Sequence, residues 1–384
     1  MVERKTIGIA LEDEFWYGAC TEELNQFSRH DVWDLVPRPV DVNVVGTKWI
    51  FKNKIDESGN VVHNKARLFA QGYSQVEGVD FDETFAPIAR LESIRLLLGI
   101  ACILKIKLHQ MDVKSAFLNG FLQEEFYVAQ PKGFEDPHFP EHVYKLKKAL
   151  YGLKQAPRAW YERLAQFLLD NDFQRGSVDK TLFIHRTGAH SLIVQIYVDD
   201  IVFGSTDPKL VNKFVKTMTE EFEISMVGEL NYFLGLQITQ SSTGIFISQS
   251  TYAKNLIKHF DMQTCKTAYT PMSKASKLSK DEGGQTVDQK LYRSMIGSLL
   301  YLRASRPDLC HSVCLCARYQ ANPKVSHLNA VKHMIKYVKG TIEYGLSYTN
   351  HTNENLAGYC DADWSGCIDD RRSTSGDVSF WGII

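Results

Sequence analysis

Hydrophobic and polar positions change period several times along the chain, and each change marks a new element. From Leu11 to Phe27 an acidic stretch carries Leu11, Phe15, Leu24 and Phe27 at spacings that predict a helix with one apolar face. From Asp31 to Asp80 the pattern turns to strands. VGTKWIFKNKI, a turn at DESGN and then VVHNKARLFAQGY predict a β-hairpin, with Gly59 beside Asn60 supplying the turn chemistry. Leu91 to Leu104 is an apolar run of helical length, and the alternating KIKLHQMDV follows it. Pro157 opens an amphipathic helix with Trp160, Leu164, Phe167 and Leu168 at i, i+4, i+7 and i+8. Residues 191–205, SLIVQIYVDDIVFGS, read as two apolar strands joined at an acidic turn. A helix near 208–222 and a strand around YFLGLQI come next. The polar, Gly/Ser/Lys-rich residues 273–290 predict a linker, followed by helices near 291–305 and 324–339 and a strand-like segment over 355–384.

The 384 residues suggest two to three domains at about 150 residues each. Apolar residues at 44% and charged residues at 23% predict a packed core. Lys plus Arg, 44, nearly balance Asp plus Glu, 45, so a nucleic-acid-binding function has to rest on local patches and not on net charge. The longest apolar run, Leu96 to Leu104, is far short of the ~20 residues that span a bilayer. The start, MVERKTIG, has no apolar signal core behind it, so a cytoplasmic protein that is neither secreted nor membrane-spanning is expected. Eight cysteines occur without a C-x-x-C pair. Cys310, Cys314 and Cys316 beside His311 are expected to be buried thiols of a helix after Pro307 and not a zinc site.

Charge becomes informative locally. Strand alternation sets Ile106, Leu108, Gln110 and Asp112 on one face, with the carboxylate at the strand's end. Ser115 and Ala116 then leave backbone N–H groups open to an anion, and Phe117 can wall a sugar pocket. Asp199 and Asp200 form the second carboxylate site. Neighbours on a strand point to opposite faces, so Asp199 is expected to be the main ligand and Asp200 the supporting one. Hard divalent cations take such oxygen ligands, and a pair of ions ~3.5–4 Å apart can serve both the attacking and the leaving oxygen. Two plainer readings stay open here: a strand terminator at Asp112 and a solvated turn at the doublet. Between the two sites, YKLKKALYGLKQAPRAWYERL interleaves Lys145, Lys147, Lys148, Lys154, Arg158 and Arg163 with Tyr151, Trp160 and Tyr161. That mixture suits a phosphate backbone and stacked bases, or else a solvated basic face. The predicted hairpin has basic flanks as well, through Lys48, Lys52, Lys54, Lys65 and Arg67.

The ordered set QMDVKSAFLNG, LYGLKQAPRAWY, YVDDIVFGS and GELNYFLGLQI resembles the reverse transcriptase of copia-type LTR retrotransposons, plant elements above all. TKWIFKNK, NKARLFAQGY and FDETFAPIARLESIRLLL upstream, and YRSMIGSLLYLRASRPD downstream, extend the likeness to nearly the entire chain. The resemblance implies an α+β right-hand polymerase with an antiparallel palm sheet. The parts expected are an N-terminal helical extension (1–30), fingers and palm (31–250), and a thumb or connection region (251–350) that includes the linker. It also implies RNA-directed DNA synthesis with two Mg²⁺ ions, Mn²⁺ being a substitute, on Asp112, Asp199 and Asp200. Lys65, Arg67, Phe117, Tyr151 and Gly152 correspond to nucleotide-facing positions, Phe117 to a steric gate against the ribose 2′-hydroxyl. Phe233, Leu234 and Gly235 correspond to a primer-grip strand. An RNA template, a DNA or RNA primer and deoxynucleoside triphosphates are the implied partners.

Residues 351–384, with LAGYCDADWSGCIDDRRSTSG, resemble the opening of a ribonuclease H domain. Asp361 matches its first catalytic aspartate, and alternation sets Asp363 on the same face. So short a segment cannot bury a core, and no ribonuclease H activity is expected from it. Two competing functions remain: a catalytically silent retroelement remnant that at most binds nucleic acid, and an unrelated Mg²⁺-dependent nuclease.

Overall fold

The apolar runs on either side of the acidic doublet pair with each other. Strand His190–Tyr197 runs antiparallel to Asp200–Ser205, from Leu192 opposite Ser205 to Tyr197 opposite Asp200, so Val198 and Asp199 alone make the turn. The computed structural model describes residues 6–55, 61–272, 278–350, 356–362, 364–373 and 375–381, and sets this hairpin in a six-stranded sheet. Its order is Ile224–Glu229, Lys107–Val113, Asp200–Ser205, His190–Tyr197, Leu182–Thr187 and Gln174–Arg175. The two acidic motifs therefore lie on neighbouring strands.

Two compact units make up the chain, Met1–Ala89 with Gln110–Gly228, and Arg90–His109 with Glu229–Ile384. In the first, helices Ala156–Asp170 and Pro208–Glu221 cover the sheet. Trp160, Leu164 and Leu168 from one and Val211, Phe214 and Met218 from the other bury against Val194, Ile201 and Phe203. Phe203 is fully buried, and truncating such a ring to alanine costs about 3–5 kcal/mol. Asp207 starts the second helix by accepting from the Lys209 N–H at 2.9 Å, ahead of Pro208 in the first turn.

The basic hairpin pairs Thr47–Ile55 with Val61–Ala70, in register from Thr47 opposite Ala70 to Asn53 opposite Asn64. The turn expected at DESGN lies outside the described residues. Helix Glu14–Arg29 shares a core with this hairpin that includes its Trp16, Cys20 and Phe27, with Trp16 edge-on to Phe51 at 5.2 Å between ring centroids. The helix expected from Leu11 to Phe27 is in fact two helices. Asp13 stops the register by accepting from the Phe15 and Trp16 N–H groups, so Leu11 belongs to the short helix Ile7–Leu11. The buried stripe then starts at Trp16, and Phe15 is exposed. A four-stranded sheet of Trp33–Val36, Val143–Lys148, Phe121–Ala129 and Val44–Val45 completes this unit.

The second unit combines helix Leu91–Ile103 with a sheet of Tyr232–Phe233, Leu236–Gln240, Gly244–Ser248 and Gly345–Thr349. Helices Ser250–His259, Gln289–Leu302, Cys310–Ala317 and Val325–Gly340 share a core that includes Ile257, Tyr292, Val313 and Met334. The run YFLGLQI, expected as one strand, is broken. Leu234 and Gly235, with φ of 49° and 76°, form a two-residue turn between Phe233 and its partner Leu236. Residues 273–277 of the expected linker lie outside the described residues, and its last two belong to helix Gln289–Leu302, which Asp288 caps. Of the three clustered cysteines only Cys316 is fully buried. Cys314 is exposed and accepts from Arg303 Nη1 at 3.1 Å. A two-stranded ladder joins Leu356–Ala362 to Ser375–Trp381. Among the described residues no helix is long and apolar enough to cross a membrane.

Candidate active site

The turn that presents Asp199 is strained. Val198 takes φ 55°, a conformation suited to glycine and unfavourable for a β-branched residue. Two hydrogen bonds hold it there. The Trp160 indole N–H donates to the Val198 carbonyl at 2.7 Å, and the Val113 N–H donates to the Asp199 carbonyl at 3.0 Å. The second bond fixes the turn beside the residue that follows Asp112. Ser225, on the outer neighbour of that strand, donates from Oγ to Asp112 Oδ2 and also to the Asp112 carbonyl at 3.2 Å.

Both carboxylates of the doublet feel the charge of Asp112. Asp199 is pushed above the ordinary aspartate value by burial and by the charge of Asp112, against its own backbone hydrogen bond and Lys65. Asp200 is pushed up to about 6 by burial and then by Asp199 and Asp112. Asp112 and Asp199 line a cleft of about 1020 Å³, whereas Asp200 opens the return strand opposite Tyr197. The donor set is hard carboxylate oxygen throughout, which suits Mg²⁺ or Mn²⁺. Among the described residues, no three Asp, Glu, His or Cys side chains are already gathered around a metal-sized point.

After Asp112 the chain turns sharply. Buried Ser115 has φ 48° and leads into the single 3₁₀ turn Ala116–Asn119. This brings Phe117 against Tyr151, at 5.2 Å between ring centroids. Tyr151 also packs on Phe69 at 5.6 Å, and burial pushes its hydroxyl up to about 12. Gly152, with φ 93°, has no alternative: a Cβ there would meet the Ala70 carbonyl oxygen at 2.2 Å. The adjoining Ala70 N–H donates to the Tyr151 carbonyl at 2.7 Å. Backbone contact of this closeness welds the segment LYGLKQAP to the basic hairpin.

Lys65 and Arg67 line the same cleft as Asp112, Asp199 and Tyr151. Arg67 sits over the Tyr151 ring, 5.6 Å from its centroid, and donates from Nη1 to Glu23 Oε2. Sequence reasoning missed both Glu23 and Ser225. Glu23 had a legible signal, as a carboxylate on the apolar stripe of its helix; Ser225 had none. Phe233, Leu234 and Gly235 belong to the second unit, where the Tyr301 hydroxyl donates to the Leu234 carbonyl at 2.5 Å. Asp361 lies in strand Leu356–Ala362 opposite Gly376, and Asp363 falls outside the described residues.

With this geometry in view, comparison with known proteins is specific. A family model described as reverse transcriptase (RNA-dependent DNA polymerase) matches residues 30–274, and the chain belongs to that family. It is 39% identical to the retrovirus-related Pol polyprotein from transposon RE1 of Arabidopsis thaliana, over 99% of this chain and 26% of that protein. It is 35% identical to the corresponding polyprotein from transposon TNT 1-94 of Nicotiana tabacum, over 93% of this chain and 28% of that protein. Within the family, the chain is the reverse-transcriptase region of a copia-type retrotransposon Pol, spanning about a quarter of the length of these relatives. Among solved structures it is similar to a foamy viral protease–reverse transcriptase in complex with double-stranded DNA. That likeness has 13% identity and a TM-score of 0.49, over 93% of this chain and 55% of that one.

Proposed function

We propose that the chain carries out RNA-directed DNA synthesis, joining deoxynucleotides to a primer 3′-hydroxyl on an RNA template. The observation that supports this best is the convergence of Asp112 and Asp199 in one cleft with Lys65, Arg67 and Tyr151. Asp112, Asp199 and Asp200 would hold two Mg²⁺ ions, or Mn²⁺ in their stead. Such ions, when bound, lower the pKa of the attacking hydroxyl and neutralise the departing pyrophosphate. A bond forms from the primer oxygen to the α-phosphate as the bond to pyrophosphate breaks, so no side chain has to act as a covalent nucleophile.

The protein's own side chains bind and orient. Lys65 and Arg67 are two residues apart on one face of their strand and suit the triphosphate. Phe117, backed by Tyr151, is the gate that a ribose 2′-hydroxyl would strike. Gly152 lets this aromatic wall approach the hairpin, and the turn at Phe233, Leu234 and Gly235 positions the primer through its backbone. In this reading the six-stranded sheet is a palm and the basic hairpin belongs to the fingers. Residues 251–350 form thumb and connection, and residues 351–384 open a ribonuclease H-like segment with Asp361 as its first carboxylate. The partners are an RNA template, a DNA or RNA primer and deoxynucleoside triphosphates, with affinity for nucleic acid falling as salt rises.

The test is extension of a labelled DNA primer on an RNA template with Mg²⁺ and deoxynucleotides. Extension by the wild-type chain that Asp199→Asn or Asp200→Asn abolishes supports the proposal. Template binding without extension by the folded wild-type chain would point instead to a silent remnant.

A further inference from the structure

We propose that Glu23 is a positioning residue for the incoming nucleotide: its carboxylate sets the Arg67 guanidinium over the Tyr151 ring, in the cleft that Asp112 and Asp199 line. The proposal rests on the polymerase reading above and adds to it a residue that precedes the segment matched by the family model, which begins at residue 30.

Glu23 is on the wrong face for an ordinary surface glutamate. Trp16, Cys20 and Phe27, at i−7, i−3 and i+4, form the buried stripe of helix Glu14–Arg29, and Glu23 lies in that stripe with 2% of its surface exposed. Removing a carboxylate from water is expensive, and an apolar residue of similar volume usually stabilises a packed helix at least as well as a buried ion pair does. What a charged residue supplies there is direction. Glu23 Oε1 accepts from the Leu68 N–H at 3.2 Å, which fixes the carboxylate against the hairpin strand, and Oε2 takes Arg67 Nη1. One nitrogen of the guanidinium is thereby held while its central carbon rests over the ring, 5.6 Å from the Tyr151 centroid. About a quarter of the Arg67 side chain, 26%, stays accessible. Burial is the larger effect and holds Glu23 above the ordinary glutamate value, while Arg67, the Leu68 N–H and Lys65 pull it back down.

The arrangement points to a triphosphate. Lys65 shares a strand face with Arg67, and its charge is felt by Asp199. A polyanion lying in the cleft that Asp112 and Asp199 line, and reaching towards this strand, would meet both basic groups. Arginine recognises phosphate through a planar fork, which has value only when its plane is set. Held at one nitrogen by Glu23, the fork does not have to be ordered anew each time a nucleotide binds.

The experiment is single-nucleotide incorporation by the full chain on an RNA template, with kcat and KM for dTTP measured alongside primer–template affinity and melting temperature. Glu23→Gln keeps the size of the side chain and an acceptor for the Leu68 N–H. It should raise KM for dTTP by about 10-fold, the loss of one charge-assisted hydrogen bond, with kcat within about two-fold and primer–template affinity unchanged. In an Arg67→Ala background it should add nothing. An unchanged KM in a wild-type-like Glu23→Gln protein overturns the proposal, and so does an equal rise in the Arg67→Ala background. If Glu23→Gln does not fold, Arg67→Lys carries the test. An ammonium keeps the charge but has no fork, so KM should rise nearly as far as in Arg67→Ala, and a wild-type KM overturns the proposal. Absence of extension by wild-type protein is a different outcome, which defeats the polymerase reading and this inference with it.

Discussion

The indole N–H of Trp160 donates to the Val198 carbonyl at 2.7 Å, joining the helix of the basic motif to the strained turn that carries Asp199. Trp160 is almost fully buried and lies edge-on to Phe222, so the same ring that fills the core also fixes the peptide next to the carboxylate. Trp160→Phe keeps an aromatic ring and removes the donor. It should destabilise the chain by about 1–2 kcal/mol and lower kcat about 10-fold, with KM for deoxynucleotide moving little. Thermal melts with steady-state primer extension check this. A loss of stability with unchanged kcat would restrict Trp160 to packing.

Gly152 tests whether close backbone approach, and not a side chain, joins LYGLKQAP to the hairpin. Gly152→Ala needs a Cβ within 2.2 Å of the Ala70 carbonyl oxygen, at φ 93°. Destabilisation should exceed about 2 kcal/mol, well beyond the usual effect of a surface substitution. Near-wild-type denaturant unfolding of Gly152→Ala would contradict the contact.

Elements governed by local pattern are legible in the sequence. The two apolar runs of 191–205 form the antiparallel hairpin, and the Trp160, Leu164 and Leu168 spacing forms a buried helix face. The placement of Asp112 and Asp199 is legible to the same extent: their strands are neighbours and both acids line one cleft. Legibility failed where a small polar event interrupts an apolar run. Asp13 caps a new helix and so exposes Phe15, and the turn at Leu234 and Gly235 lies among apolar residues that read as one strand. Partnerships across distant segments were not legible. Nothing in a serine's own neighbourhood predicts that Ser225 will meet Asp112, and the meaning of Glu23 on its helix depends on where Arg67 lies.

Phe117 gives a specificity test. The ring packs on Tyr151 at 5.2 Å and follows the turn that begins at Ser115. Phe117→Ala should raise ribonucleotide incorporation relative to deoxynucleotide by about 10-fold or more, since a lost steric clash is worth on the order of 1–3 kcal/mol in discrimination. Competing single-turnover incorporation of dTTP and UTP measures the ratio. No change in that ratio would remove the gate role while leaving the carboxylate site intact.

The carboxylates also set a pH dependence. Asp200 is raised from 3.8 to about 6 by burial and by the charges of Asp199 and Asp112, so the folded chain binds this proton more tightly than the unfolded chain does. Its contribution to stability is fully present below about pH 4 and is lost as pH rises through about 6. Metal-free protein at pH 7.5 should therefore gain from Asp200→Asn, by about 1 kcal/mol once solvent screening of this half-buried group is allowed for. Divalent cations bind the ionised form, so Mg²⁺ should raise the melting temperature at pH 7.5 and have little effect at pH 5. The Asn variant should lose most of that response at the higher pH. Melting curves at the two pH values, with and without Mg²⁺, separate the outcomes. An equal Mg²⁺ effect at both values, or one that survives Asp200→Asn intact, would mean that the cation binds elsewhere.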